Sequence, residues 1–119
     1  NTYVRNDGTI VIGDKVQSGI AIQTRGSLVN VVNAGTIDVS GHFNAAPLVN
    51  IGIHSVAGPD SSVDNAGTIN LRGVNNIGIQ AVSGGRAVSS GVINVQAGVD
   101  AASGLRNYAI WSEGANSKV

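Results

Sequence analysis

The chain contains no cysteine and no methionine, only two prolines, 3% aromatic residues and 12% charged residues. Each shortage removes a class of protein. Without cysteine there is no disulfide framework and no thiolate zinc site. Seven basic residues offset seven acidic ones, for a formal net charge of zero at pH 7. No basic run or arginine stripe stands out, so the electrostatic footprint of nucleic-acid or anionic-membrane binding is missing. Apolar stretches last a few residues each, far short of the ~20 that a membrane-spanning helix needs.

The chain is not disordered in composition, because 42% of it is hydrophobic, much of that Val, Ile and Ala. With so few rings available, an interior has to be filled by small aliphatic side chains that stack on one another. A length of 119 residues suffices for one domain with a core. The first residue is Asn1 and no leader is recognisable. The expectation is therefore a single unit, 1–119, an excised fragment or processed product of a larger protein.

Internal repetition is the main signal. Asn6-Asp-Gly-Thr-Ile-Val-Ile-Gly13, Asn33-Ala-Gly-Thr-Ile-Asp-Val-Ser-Gly41 and Asn65-Ala-Gly-Thr-Ile-Asn-Leu-Arg-Gly73 align, with Ser89-Ser-Gly-Val-Ile-Asn-Val-Gln-Ala-Gly98 as a decayed fourth copy. Their glycines at 8, 35, 67 and 91 lie 27, 32 and 24 residues apart. A second element follows each copy: Gly19-Ile-Ala-Ile22, Gly52-Ile-His-Ser-Val56, Gly78-Ile-Gln-Ala-Val82 and Tyr108-Ala-Ile-Trp111. A third precedes each copy, around Val4, from Leu28 to Val32, at Val63, and at Ala87 and Val88. Each unit is thus three short strands joined by glycine-bearing turns.

Apolar residues sit two apart in these elements, which is strand periodicity; no i, i+3, i+4, i+7 pattern persists long enough for a helix. A three-strand unit cannot bury its aliphatic face alone, but copies stacked in register can. The fold class predicted is all-β, a parallel β-helix (β-solenoid) of about four three-strand rungs. Stacking places Ile10, Ile37, Ile69 and Ile93 in one core ladder and Ile12, Val39, Leu71 and Val95 in a second. Ile20, Ile53, Ile79 and Ile110 form a third. Asn6, Asn33 and Asn65 form a corner ladder that Ser89 ends, their amides bonding along the axis. A meander of antiparallel hairpins explains the alternation but not the three-part unit.

Unit length varies at one turn, where 42–50 and 99–107 are inserted in the second and fourth units. Both leave from the same corner, so both project from one side, where solenoids tend to carry binding loops. His42, Phe43, Leu48, Asp100, Leu105 and Arg106 are the candidate binding residues in them. Phe43 and Leu48 either cover the core or form an exposed apolar anchor. A second bulge, 57–62, occupies a different corner. Tyr108 and Trp111 read as adjustments near the end of the stack, with sugar stacking as the alternative.

The Asn-Ala-Gly-Thr-Ile-x-Val-x-Gly unit, with its Gly-Ile partner strand and return to Val-x-Asn, resembles repeats in the passenger domains of bacterial autotransporters (type V secretion). The resemblance covers roughly residues 3 to 111. It implies a right-handed coil, display at the outer membrane or secretion, and an adhesive role toward a surface protein or glycan of a host or bacterial cell. Similar phrases occur in trimeric autotransporter adhesins, filamentous haemagglutinin-like exoproteins and phage tail fibres. A lobe of a three-chain β-prism is thus an open variant. No family motif assigns binding residues here.

Parallel β-helices also carry polysaccharide lyases and glycosidases, whose sites gather carboxylates on one face. Here Asp38 stacks with Val11, Asn70 and Asn94, so no acidic pair forms there, and Asp60 with Asp64 is the best carboxylate cluster. Pro59-Asp-Ser-Ser62 is ordinary turn chemistry, which favours a structural role for it. His42 and His54 are the two histidines, too few for a structural zinc site. Nucleophile-elbow and phosphate-loop patterns are missing. Thr9, Thr36 and Thr68 make one column, which fills a corner rather than forming a flat ice-binding face. The expectation is a non-catalytic scaffold needing no cofactor or metal, with open strand edges that invite self-association.

Overall fold

The computed structural model describes residues 2–40, 49–58, 60–96, 106–115 and 119. Among them every regular element is a strand. The first sheet consists of β1 (Thr2–Asn6), β4 (Val29–Asn33), β7 (Ser62–Asn65) and β10 (Arg86–Ser89). The second consists of β2 (Thr9–Ile12), β5 (Thr36–Val39), β8 (Thr68–Leu71) and β11 (Val92–Val95). The third consists of β3 (Ile20–Gly26), β6 (Asn50–Ala57), β9 (Asn76–Val82) and β12 (Tyr108–Glu113). The chain visits the three in rotation, so β1 to β10 spans three turns of a β-solenoid and β11 and β12 continue it. All pairings are parallel, which rules out the antiparallel meander.

Repeat and register coincide in the second sheet: Ile10 pairs with Ile37, Ile37 with Ile69, and Ile69 with Ile93. Ile12, Val39, Leu71 and Val95 form the adjoining ladder. Ile37, Val39, Ile69 and Leu71 are fully buried, and Val31, Val63 and Ala87 of the first sheet join them in one aliphatic core. Aliphatic side chains stacked on successive rungs fill this core without rings, so the aromatic shortage has a physical reason. Ile10 and Ile93 are only half-buried and Val95 is exposed, since each lies on an outermost level with a neighbour on one side only.

The third sheet corrects one expectation. Ile20 pairs with Ile51, and it is Ile22 that pairs with Ile53 and continues through Ile79 to Ile110. Ile20 is 38% exposed and is not a core rung. The Gly-Ile dipeptide occurs at two offsets, and a slip of two residues preserves the strand's alternation, so periodicity alone cannot choose between them. The ladder that forms aligns Ile20-Ala-Ile22 with Ile51-Gly-Ile53.

The corner between the first two sheets is fixed by the asparagine ladder. Asn6 Nδ2 donates to Asn33 Oδ1, and Asn33 Nδ2 donates to Asn65 Oδ1, each at 2.8 Å. Asn65 Nδ2 donates to the Ser89 hydroxyl at 3.3 Å, where the ladder ends. Asn33 and Asn65 are fully buried, so these bonds replace solvent for groups that would otherwise carry a desolvation penalty. Two residues on, a Cβ at Gly35 would collide with the carbonyl oxygen of Gly8, one at Gly67 with that of Gly35, and one at Gly91 with that of Gly67. The repeated Asn-x-Gly therefore encodes one corner: an amide that bonds along the axis and a glycine that lets neighbouring rungs close.

Candidate functional site

The two inserted segments connect the second sheet to the third, after β5 and after β11, so they share one corner as the sequence predicts. His42, Phe43, Leu48, Asp100 and Leu105 lie outside the described residues. Arg106 is exposed and makes a single-residue bridge just ahead of Asn107.

Where the segments rejoin the coil, a second set of asparagines holds the corner. Asn50 Nδ2 donates to the Val16 carbonyl at 2.8 Å, while its Oδ1 accepts the Gly19 amide at 2.7 Å. Asn76 Nδ2 donates to the Arg72 carbonyl at 2.7 Å. Asn107 Oδ1 accepts the Asn76 amide at 2.9 Å, and Asn107 Nδ2 donates to the Gly73 carbonyl at 2.8 Å. Asn50 and Asn107 tie their rungs to the turn of the rung before, while Asn76 holds the turn of its own rung and also donates to Asn107 Oδ1 at 3.2 Å. Sequence reasoning missed this column, although Asn50-Ile-Gly-Ile53 and Asn76-Ile-Gly-Ile79 are visible repeats. The signal was hidden because Gly19 occupies the place on the first rung.

The outward columns consume much of their own polarity. Asn70 Nδ2 donates to Asp38 Oδ1 at 2.6 Å, and Asn94 Nδ2 to Asn70 Oδ1 at 2.9 Å. Asp64 Oδ1 accepts the Ser90 hydroxyl at 3.0 Å and the Ser90 amide at 3.3 Å. Asp60 sits exposed in a turn while Asp64 lies on β7. Arg5 and Asp7 form an exposed ion pair at 2.8 Å, of a kind that contributes little. Thr9, Thr36 and Thr68 stack as a single column that Val92 continues. Among the described residues no group of three or more His, Asp or Glu converges as a metal site would require.

On the third sheet Gln23, His54, Gln80 and Trp111 occupy successive rungs of one column. Gln23 Nε2 lies 3.2 Å from His54 Nδ1. Partial burial lowers the His54 pKa from its ordinary value, and the nearby Arg25 lowers it further, against a smaller opposing pull from Glu113. Tyr108 and Trp111 pack edge to face with centroids 4.7 Å apart, and Trp111 Nε1 donates to Glu113 Oε2 at 3.1 Å. This aromatic pair closes the outer surface of the last rung.

Tyr3, Val11 and Ile20 stand exposed on the first level, and Val92, Val95 and Tyr108 on the last. At the last level a cavity of about 680 Å³ is lined by Arg86, Ala87, Val88, Ser89, Ile110 and Val119. In comparisons with known proteins, no family model, no curated protein and no solved structure matches the chain.

Proposed function

We propose that this chain is a non-catalytic structural segment of an exported, surface-displayed bacterial adhesin of the autotransporter type, holding its inserted segments out for attachment. The observation that carries the reading is the placement of both insertions at one corner of a regular coil, on the second and fourth levels, with Asn50 and Asn107 fixing their return. A coil whose rungs are alike is a spacer by construction, and variable segments on one side of it are where selectivity can differ without disturbing the core. The aliphatic ladders are buried within a single chain, which supports a self-sufficient coil over a lobe of a three-chain prism.

The test is binding of the purified chain to glycan arrays and immobilised extracellular-matrix proteins, beside a variant whose segments 41–49 and 97–106 are replaced by the short turn 72–75. Retained coil signal with lost binding is the expected result. Equal binding by both proteins would remove the insertions from the function. The competing carbohydrate-active reading is checked by incubation with polysaccharides and Ca²⁺, where release of unsaturated or reducing sugar ends would overturn the scaffold proposal.

A further inference from the structure

We infer that the outer face of the third sheet binds a neutral oligosaccharide, which stacks on Trp111 and hydrogen-bonds to Gln80 and His54. This rests on the adhesive reading above and gives it a ligand class, with a site on the wall of the coil rather than in the inserted segments. Ile53, Ser55, Ile79 and Ala81 are buried, so strand alternation turns the residues between and just beyond them outward. Gln23, His54, Gln80 and Trp111 make one outward column, and Arg25, Val56, Val82 and Glu113 make the next. This face looks away from the coil axis. Rungs stacked on either end would lengthen it and would not cover it.

Trp111 is positioned before any ligand arrives. Its Nε1 donates to Glu113 Oε2 at 3.1 Å, which occupies the polar edge of the indole, and Tyr108 packs against it at 80°. A T-shaped contact covers at most one face of the indole, and Trp111 is only half-buried, so apolar ring surface is left for stacking. Gln80 sits one rung away, about 4.8 Å along the axis. Among the described residues nothing hydrogen-bonds its carboxamide, which therefore has two donors and an acceptor to offer. The second sheet differs, since there Asn94 bonds Asn70 and Asn70 bonds Asp38. His54 follows on the next rung. Gln23 Nε2 can only donate, so His54 Nδ1 accepts at 3.2 Å and the ring proton sits on Nε2, a donor for a ligand. Burial, and after it Arg25, lower the His54 pKa, which keeps the imidazole neutral at pH 7.

The chemistry of this face selects its occupant. Val56 and Val82 flank His54 and Gln80, while Arg25 and Glu113 stand at opposite ends of their column. A phosphate or sulfate beside Trp111 would meet the Glu113 carboxylate and no cation. A wholly apolar partner would bury the Gln80 carboxamide without a bond, at a desolvation penalty. A neutral sugar satisfies both demands, with its C–H face on the indole and its hydroxyls on the carboxamide and imidazole. From Trp111 to His54 is two rungs, roughly 10 Å, which suits a short oligosaccharide lying along the axis.

Trp111 is the single tryptophan of the chain, so its emission reports on this face alone. The experiment titrates the whole chain with neutral oligosaccharides of glucose, galactose, mannose and N-acetylglucosamine up to about 10 mM, beside sulfated and uronic-acid counterparts. A saturable change in Trp111 fluorescence is expected with at least one neutral series and with none of the charged ones. Isothermal calorimetry extends the measurement to variants. Gln80→Ala keeps the thermal midpoint and weakens binding roughly fivefold. Trp111→Ala loses binding, and Trp111→Phe retains part of it. Silence toward every neutral series, a preference for the charged sugars, or full affinity in Gln80→Ala overturns the proposal. The variant with shortened insertions separates this site from the reading it rests on. If it binds as wild type does while Trp111→Ala does not, the insertions lose their role and this site stands. If it loses binding while Trp111→Ala keeps it, this site is overturned and the insertions stand.

Discussion

Asn33 and Asn65 stand 32 residues apart in sequence, yet Asn33 Nδ2 donates to Asn65 Oδ1 at 2.8 Å inside a corner neither shares with solvent. Asn33 is the middle rung of that ladder. Its oxygen takes the Asn6 amide while its own amide serves Asn65 and the Gly35 carbonyl.

Replacing Asn33 with alanine therefore strands buried groups on two levels. The expected loss is about 2–4 kcal/mol, from one or two unsatisfied polar groups. Asn6→Ala, at the more exposed end of the same ladder, is expected to cost less than about 1 kcal/mol. Urea unfolding of the two variants measures the difference, and equal losses would mean that the ladder is not cooperative along the axis.

Ile69→Ala removes a fully buried side chain with a ladder partner on either side. The cost expected is about 3–5 kcal/mol, as for cavities that cannot collapse. Val95→Ala, at an exposed end position of the neighbouring ladder, is expected to change stability by less than about 1 kcal/mol. Chemical denaturation again decides, and a Val95 effect as large as that of Ile69 would place the core elsewhere.

Gly67→Ala forces a methyl group against the Gly35 carbonyl oxygen, where backbone must move on both rungs. Failure to fold, or a loss of about 3 kcal/mol or more, is expected. Gly13→Ala is the control, because a Cβ there meets nothing within 4 Å. Its thermal midpoint is expected to stay close to that of the parent, and a marked fall would show that Gly13 is required for some other reason.

His54 gives the fold a pH dependence of known sign. The folded state favours the neutral imidazole, so the unfolded chain takes up a proton first as the pH falls. This contribution to stability is full above the ordinary value of 6.5, declines below it, and is gone beneath the lowered folded value. His54→Gln, which extends the Gln23 and Gln80 column, removes that decline. Thermal midpoints measured across this range for both proteins check it, and parallel curves would acquit His54.

Much of the coil was legible because its side chains repeat. Ile37, Ile69 and Ile93 carry the same context in each copy, so register follows from alignment alone. The third sheet was harder, because Ile20 and Ile22 are both two-apart isoleucines and either satisfies the alternation. Hydrogen bonding settles it, with Asn50 Oδ1 on the Gly19 amide and Ile51 N on the Gly19 carbonyl at 2.9 Å. The two insertions were legible as extra length at one corner, which the topology bears out.

By itself the sequence determined the three-strand unit, the aliphatic ladders of the second sheet and the Asn-x-Gly corner. Those features depend on contacts between identical neighbours, and repetition writes such contacts directly into the chain. Only the tertiary structure decided which isoleucine of the third sheet enters the core and that Asn50, Asn76 and Asn107 hold the second corner. These depend on hydrogen bonds between unlike groups, chiefly asparagine side chains and the backbone of Val16, Gly19, Arg72 and Gly73, and a bond between unlike partners leaves no matching pair to read.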